Sequence, residues 1–311
     1  MKQVLNVLLT HQRNNAVAAM VEWWAQCVPR ESIILAYGGS REDFDALTFW
    51  PKLFIDDPRL RTKDHPRERQ SYGGVFREVT SWMQDRSYSH VHFAEYDHLP
   101  LVRDLNERQV GLMEAERADV LGYHLRRVDE TNCAHYLSHA ADPEFFQFWK
   151  KVTCRRDPRV ILSMIATGSF WTREAFAAVA AMAEPNPMYV EIFPPTLAHH
   201  LGFRVRDYGP QTRFVRHIGD RVSEIGTAQS QGAWTIHPVK SGWDGPAPLR
   251  AIGGCAEIEK ACHPERSSRR AKAGGNGVEG PRRSDNVLRL NEPPGSFDCA
   301  APAFPPPLRS G

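Results

Sequence analysis

The tripeptide Glu95-Tyr96-Asp97 follows the apolar run His90-Val91-His92-Phe93-Ala94 and is halted by Pro100. In an extended chain, residues two apart share a side, so Glu95 and Asp97 are expected to project together from a strand's end. Sheets of α/β proteins bind ligands at the carboxyl ends of their strands. Two hard carboxylates there suit a divalent cation such as Mg²⁺ or Mn²⁺, which also binds the diphosphate of a nucleotide. A Glu-x-Asp in isolation is more often a solvated acidic turn. Here it closes a fourth strand and comes after a basic loop and a Gly-Gly helix start, which favours the chemical reading.

The preceding elements are legible as alternating strands and helices. Val4-Leu5-Asn6-Val7-Leu8-Leu9 is a short apolar run of the kind buried on both faces. Asn14 or Asn15 can cap a helix bearing Val17, Met20, Val21, Trp24 and Val28 at helical spacing, ended by Pro29. Ser32–Tyr37 is a second strand, so the two strands are expected to run parallel through a crossover. Lys52–Ile55 reads as a third. A loop with Arg59, Arg61, Lys63, His65, Arg67 and Arg69 follows, and Gly73-Gly74 opens a helix carrying Val75, Phe76, Val79, Trp82 and Met83. Downstream, Val120–Leu125 reads as a strand, Pro143–Val152 as a helix and Ala166–Trp171 as a turn into the helix Arg173–Ala183. Glu191–Leu201 reads as a helix whose first turn accommodates Pro194-Pro195. Phe203–Val205 and Trp234–Lys240 complete the folded part.

Bulk properties narrow the function. The 311 residues are 41% hydrophobic and 24% charged, with a formal net charge of +2. That charge gives no general reason to expect nucleic acid or an anionic membrane as partner. No window reaches the roughly 18–20 apolar residues of a membrane span. Met1–Thr10 lacks a small-residue cleavage site and reads as a strand, so a cytoplasmic protein is expected, with peripheral membrane contact left open. The six cysteines contain no Cys-x-x-Cys pair, which argues against structural zinc and a disulfide framework. No Gly-x-Gly-x-x-Gly follows the first strand and no Gly-x-Ser-x-Gly occurs, against a dinucleotide dehydrogenase and a Ser-His-Asp hydrolase. After about Gly242 the chain turns rich in Pro, Gly, Ser and Arg, so residues 244–311 are expected to form a disordered tail.

In order along the chain, several segments resemble glycosyltransferases of the GT-A type, which use nucleotide-sugar donors. They are the first strand ending in Thr10-His11-Gln12-Arg13-Asn14, the second in Tyr37-Gly38, and a Glu-Tyr-Asp version of the Asp-x-Asp motif. Further matches are Thr167–Trp171, Tyr189–Leu197 and Ile236–Lys240, so the resemblance covers residues 1 to about 243. The departure is Glu95 where the first Asp stands. The resemblance implies an α/β, Rossmann-like fold with a mixed, mostly parallel sheet flanked by helices. It implies one catalytic domain, 1–243, with a nucleotide-binding half (1–100) and an acceptor half (101–243). The implied reaction moves a sugar from a nucleoside-diphosphate sugar to a glycan or other hydroxyl acceptor, with inversion, as in polysaccharide biosynthesis.

In that frame Asp97 is the chief ligand of a Mn²⁺ or Mg²⁺ ion, and His237 a second ligand from the C-terminal side. Glu191 is the candidate base, taking a proton from the acceptor hydroxyl; an acid near a helix start can equally serve only the helix dipole. Thr10, Gln12, Tyr37, Gly38 and Glu95 fall on the donor side. A cation and nearby basic groups stabilise a departing diphosphate, so His65, Arg67, Arg69 and the amides at Gly73-Gly74 are donor-side candidates. Ser169 and Trp171 are candidates for the acceptor pocket, or a core anchor. Two other readings stay open: a nucleotidyltransferase acting on a sugar phosphate, although glycine is missing from His11–Asn15, and a non-catalytic sugar-nucleotide-binding protein.

Overall fold

The structure, a computed structural model, describes residues 3–62, 64, 67–68, 70–128, 133–140, 142–145, 147, 160–182, 188–209, 215–216 and 224–239. The chain divides into two compact units, Met1–Ala261 and Cys262–Gly311, and every described residue belongs to the first. The expected tail, most of the expected helix 143–152, and His65 and Arg69 lie outside the described residues.

In chain order the strands are β1 (Val4–Thr10), β2 (Ile33–Tyr37), β3 (Lys52–Phe54), β4 (His90–Glu95), β5 (Leu99–Pro100), β6 (Val120–Arg127), β7 (Leu162–Thr172), β8 (Val205–Asp207), β9 (Val215–Arg216) and β10 (Thr235–His237). The helices are α1 (Asn14–Trp24), α2 (Arg41–Ala46), α3 (Tyr72–Met83), α4 (Leu105–Ala115), α5 (Ala134–Ala140), α6 (Arg173–Met182), α7 (Phe193–His200) and α8 (Ile225–Ser230). Seven strands form one sheet in the order β3-β2-β1-β4-β7-β6-β8. Only β7 runs against the others, pairing antiparallel with β4 and β6. This is the expected α/β, Rossmann-like arrangement: a mixed, mostly parallel sheet flanked by helices. A small second sheet, β5-β10-β9, lies beyond the end of β4.

Burial explains the apolar runs. Leu5, Val7 and Leu9 of β1 join a core with Val75, Phe76 and Val79 of α3, Phe176 of α6 and Leu197 of α7. Leu8 points the other way, into a core with Val17, Met20, Val21 and Trp24 of α1. A fully buried Val, Leu or Phe contributes about 1.5–3 kcal/mol, so a strand covered on both faces has to be apolar on both. Asn6 is the exception, and it is satisfied: its amide donates to Ser32 Oγ (2.8 Å) and its carbonyl lies 3.2 Å from His92 Nδ1. Trp23 leaves the α1 stripe and donates from Nε1 to the carbonyl of Pro100 (2.8 Å), tying α1 to the small sheet.

Three local expectations are corrected. Neither Asn14 nor Asn15 caps α1; Arg13 holds the cap position without a side-chain bond, and Asn14 Oδ1 instead accepts from the amide and hydroxyl of Thr48 (both 3.2 Å). Ala166–Trp171 is not a turn but the middle of the eleven-residue strand β7. Gly168 reads as a turn signal, yet its φ of +79° and its packing serve another end: a Cβ there would lie 2.2 Å from His98 Cε1. Glu191 sits in the turn before α7 rather than within a helix. Helix α4 falls where no element was expected: its buried side carries Asn106 and Gln109 beside Leu105 and Met113 and so lacks a continuous apolar stripe.

Candidate active site at the carboxyl edge of the sheet

Strands β1, β2 and β4 are parallel, so Thr10, Tyr37 and Glu95 end at one edge. Strand β4 stops at Glu95. The amide of His98 then donates to the Glu95 carbonyl (3.0 Å), so Asp97 is delivered by a turn and not by a continuing strand. This corrects the extended geometry expected of the pair, but the two carboxylates still converge. The turn runs into β5, and β10 pairs with β5 through Ile236↔Leu99 and Thr235↔Pro100. That pairing brings the late residue His237 to the early acidic turn. Its Nδ1 lies 3.2 Å from Asp97 Oδ1, and the Asp97 carbonyl accepts from the amide of Val239 (2.8 Å).

One ligand atom each from Glu95, Asp97 and His237 lies within 4.8 Å of the others. Two carboxylates and an imidazole are a donor set that a divalent transition metal such as Mn²⁺ accepts, while Mg²⁺ would use chiefly the carboxylates. The electrostatics fit a cation as well. Burial, and next the charge of Asp97, push the Glu95 carboxyl up to about 7. Burial works to lower the His237 pKa, yet its bond to and attraction by Asp97 outweigh this and raise it. Both shifts favour a protonated group in the cluster, so a cation would compete with those protons.

The carboxyl edge opens into a cleft of ≈ 460 Å³. Of the expected residues, Thr10, Gly38, Glu95, Asp97, Glu191 and His237 line it. Glu191 is held by backbone: its carbonyl accepts from Met164 of β7 (3.0 Å), while Ile192 donates to the Tyr189 carbonyl (3.0 Å). The Tyr189 hydroxyl in turn donates to Asp142 (2.7 Å), which also accepts from Gln70 (2.8 Å).

The other expected residues stand elsewhere. Tyr37 is fully buried beneath the edge, its hydroxyl donating to the His11 carbonyl (3.3 Å). Gln12 reaches His11 Nε2 (3.0 Å) and lies off the cleft lining. Gly73 is buried inside the first turn of α3. The Arg67 side chain is 70% exposed, 3.8 Å from Asp64, and does not line the cleft. Ser169 and Trp171 belong to the core rather than to an acceptor wall. Trp171 Nε1 donates to Ser169 Oγ (2.9 Å), Ser169 donates to the Ala166 carbonyl (2.6 Å), and the indole packs edge-on to Phe76 (5.7 Å).

Tyr72 and Glu68 also line the cleft and were not among the expected residues; Thr167 and Tyr96, expected only as members of their motifs, line it too. Tyr72 opens α3 and donates its hydroxyl to Glu95 Oε1; Thr167 Oγ1 accepts from the Glu95 amide (2.8 Å). Burial first, then the Glu95 charge, raises the Tyr72 pKa well above its ordinary value. The only signal for Tyr72 was its place beside Gly73-Gly74. His90 stacks on Phe170 (5.4 Å), and His92 lies between Asn6 and Gln109 (3.2 Å each).

No protein-family model matches the chain, and no curated protein does. Among solved structures, the glycosyltransferase involved in glycosylation of the major capsid of PBCV-1 matches 78% of this chain and 95% of its own, at 9% identity and a TM-score of 0.38. Core-mannan synthase A from Aspergillus fumigatus, in its Mn/GDP form, matches 67% of this chain and 73% of its own, at 11% identity and TM-score 0.37. The bifunctional IspDF from Campylobacter jejuni matches 68% of this chain at 8% identity and TM-score 0.37, and this chain spans only 50% of it. Likenesses this distant do not decide substrate or chemistry. No helix among the described residues is long and apolar enough to cross a membrane.

Proposed function

We propose that the protein is a metal-assisted glycosyltransferase, moving a sugar from a nucleoside-diphosphate sugar to a hydroxyl of a glycan or similar acceptor, and that it acts in polysaccharide biosynthesis in the cytoplasm. The observation that carries this reading is the convergence of Glu95, Asp97 and His237 on the cleft that Glu191 also lines. Asp97, His237 and Glu95 would hold Mn²⁺ or Mg²⁺, which supplies positive charge against that building on the departing diphosphate. Glu191 accepts the proton of the acceptor hydroxyl. The acceptor oxygen bonds to the anomeric carbon as the bond from that carbon to the diphosphate oxygen breaks, and a nucleoside diphosphate leaves. Attack opposite the leaving group inverts the anomeric centre. Thr10 and Gly38, at the ends of β1 and β2, form the donor side.

The test is thermal denaturation with uridine, guanosine and thymidine diphosphates, with and without Mn²⁺, on wild type and Asp97→Ala. At a hundredfold excess over Kd one nucleotide is expected to raise Tm by about 5–10 °C, only with Mn²⁺ and only in wild type. No nucleotide-dependent shift under any condition would contradict the reading. Release of pyrophosphate from a nucleoside triphosphate, in place of a nucleoside diphosphate from a sugar nucleotide, would make it a nucleotidyltransferase instead.

A further inference from the structure

We propose that Tyr72 is the positioning residue of the cation site, its phenol fixing the Glu95 carboxylate so that one oxygen is kept for the metal. This rests on the reading of Glu95, Asp97 and His237 as that site. A glutamate at position 95 has one more rotatable bond than an aspartate, and a long side chain at a cleft edge samples orientations that carry its carboxylate away from a cation. Two contacts fix the main chain that carries it, and a third restrains the side chain itself. The backbone is set by the β1–β4 register, with Leu9 opposite Glu95. The amide of Glu95 donates to Thr167 Oγ1 (2.8 Å). The carboxylate itself accepts from Tyr72 through Oε1.

Tyr72 is well placed for this role because it is packed into the core. Its ring is buried and stands edge-on to Phe93, centroids 5.9 Å apart. The preceding residue, Ser71, bridges to Met188 in the segment leading to Glu191. A phenol is a donor near neutral pH, so it takes one carboxylate oxygen and leaves the second to the cleft. Groups that orient metal ligands in this way are commonly worth about 10–100-fold in metal affinity.

The experiment is Mn²⁺ titration of the full chain at pH 8, followed by the electron-paramagnetic-resonance signal of free Mn²⁺. Tyr72→Phe keeps the ring on Phe93 and removes only the hydroxyl. It is expected to weaken Mn²⁺ binding about 10–100-fold while Tm shifts by a few degrees at most. In a Glu95→Ala background, Tyr72→Phe is expected to change nothing further, which a merely structural role would not produce. Tyr72→Leu, which keeps a buried apolar side chain and can neither donate a hydrogen bond nor ligate a cation, replaces Tyr72→Phe if the latter does not fold, with the same expectation. Affinity within twofold of wild type, or an equal loss in the Glu95→Ala background, would overturn the role of Tyr72 and leave the cation site standing. A wild-type chain that binds no Mn²⁺ would overturn the site itself.

Discussion

Two histidine environments lie side by side in this protein. The rings of His237 and His98 are 5.8 Å apart, yet their surroundings push them in opposite directions. His98 is buried beneath β7, and burial first, then the nearby His237 and His92, holds its pKa well below the ordinary value. Its neighbour His92 is driven down to about 3 by burial. His237 is largely buried too, but Asp97 beside it reverses the effect. Burial alone therefore drives a histidine toward its neutral form, and a carboxylate partner drives it back toward the charged one. The interior histidines act as neutral packing and hydrogen-bonding groups, and the edge histidine belongs to the acidic corner.

The largest effect is expected on the interior side. Gly168→Ala places a Cβ against the His98 ring at a residue with φ of +79°. Strain and overpacking together are expected to cost about 2–6 kcal/mol, measured by chemical denaturation. A loss below about 1 kcal/mol would mean that His98 moves freely and that the two environments are not rigidly separate. A smaller effect is expected from Gln109→Leu. The Gln109 amide donates to Tyr208 (3.0 Å) and lies 3.2 Å from His92 Nε2, and Tyr208 donates to the Gly168 carbonyl (3.0 Å). Losing it is expected to cost about 1–3 kcal/mol of stability and to leave Mn²⁺ affinity unchanged. A changed affinity would show that the interior network tunes the acidic corner after all.

The same division marks what the sequence disclosed. Strands β1, β2 and β4 were legible because burial on both faces demands apolar runs, and the acidic turn was legible because it ends one of them. His237 was placed at the corner only through a family resemblance, since nothing local to Trp234–Lys240 reveals that β10 pairs with β5. The turn expected over Ala166–Trp171 was a misreading because Gly168 looks like a turn until its contact with His98 is seen, and of the two readings of Ser169 and Trp171 their burial favours the core anchor. The loop arginines drew attention by charge alone, yet Arg59 is engaged by Asp57 (2.7 Å) and Arg61 by Asp56 (3.0 Å). Tyr72 carries no sequence signal beyond its neighbours, because its role depends on where α3 meets β4.

The central claim is that Glu95, Asp97 and His237 form one cation site, and its pH profile tests this most directly. A cation needs the carboxylate and the neutral imidazole. Glu95 holds its proton below about 7, and His237 holds its own to higher pH than usual. Mn²⁺ affinity, measured by titration from pH 5.5 to 8.5, is therefore expected to rise by about 10-fold per unit for each of the two groups still protonated, and to level off only once both have lost their protons. His237→Ala should flatten part of that slope, and Asp97→Ala should abolish binding. Affinity independent of pH, or binding that survives both substitutions, would contradict the account.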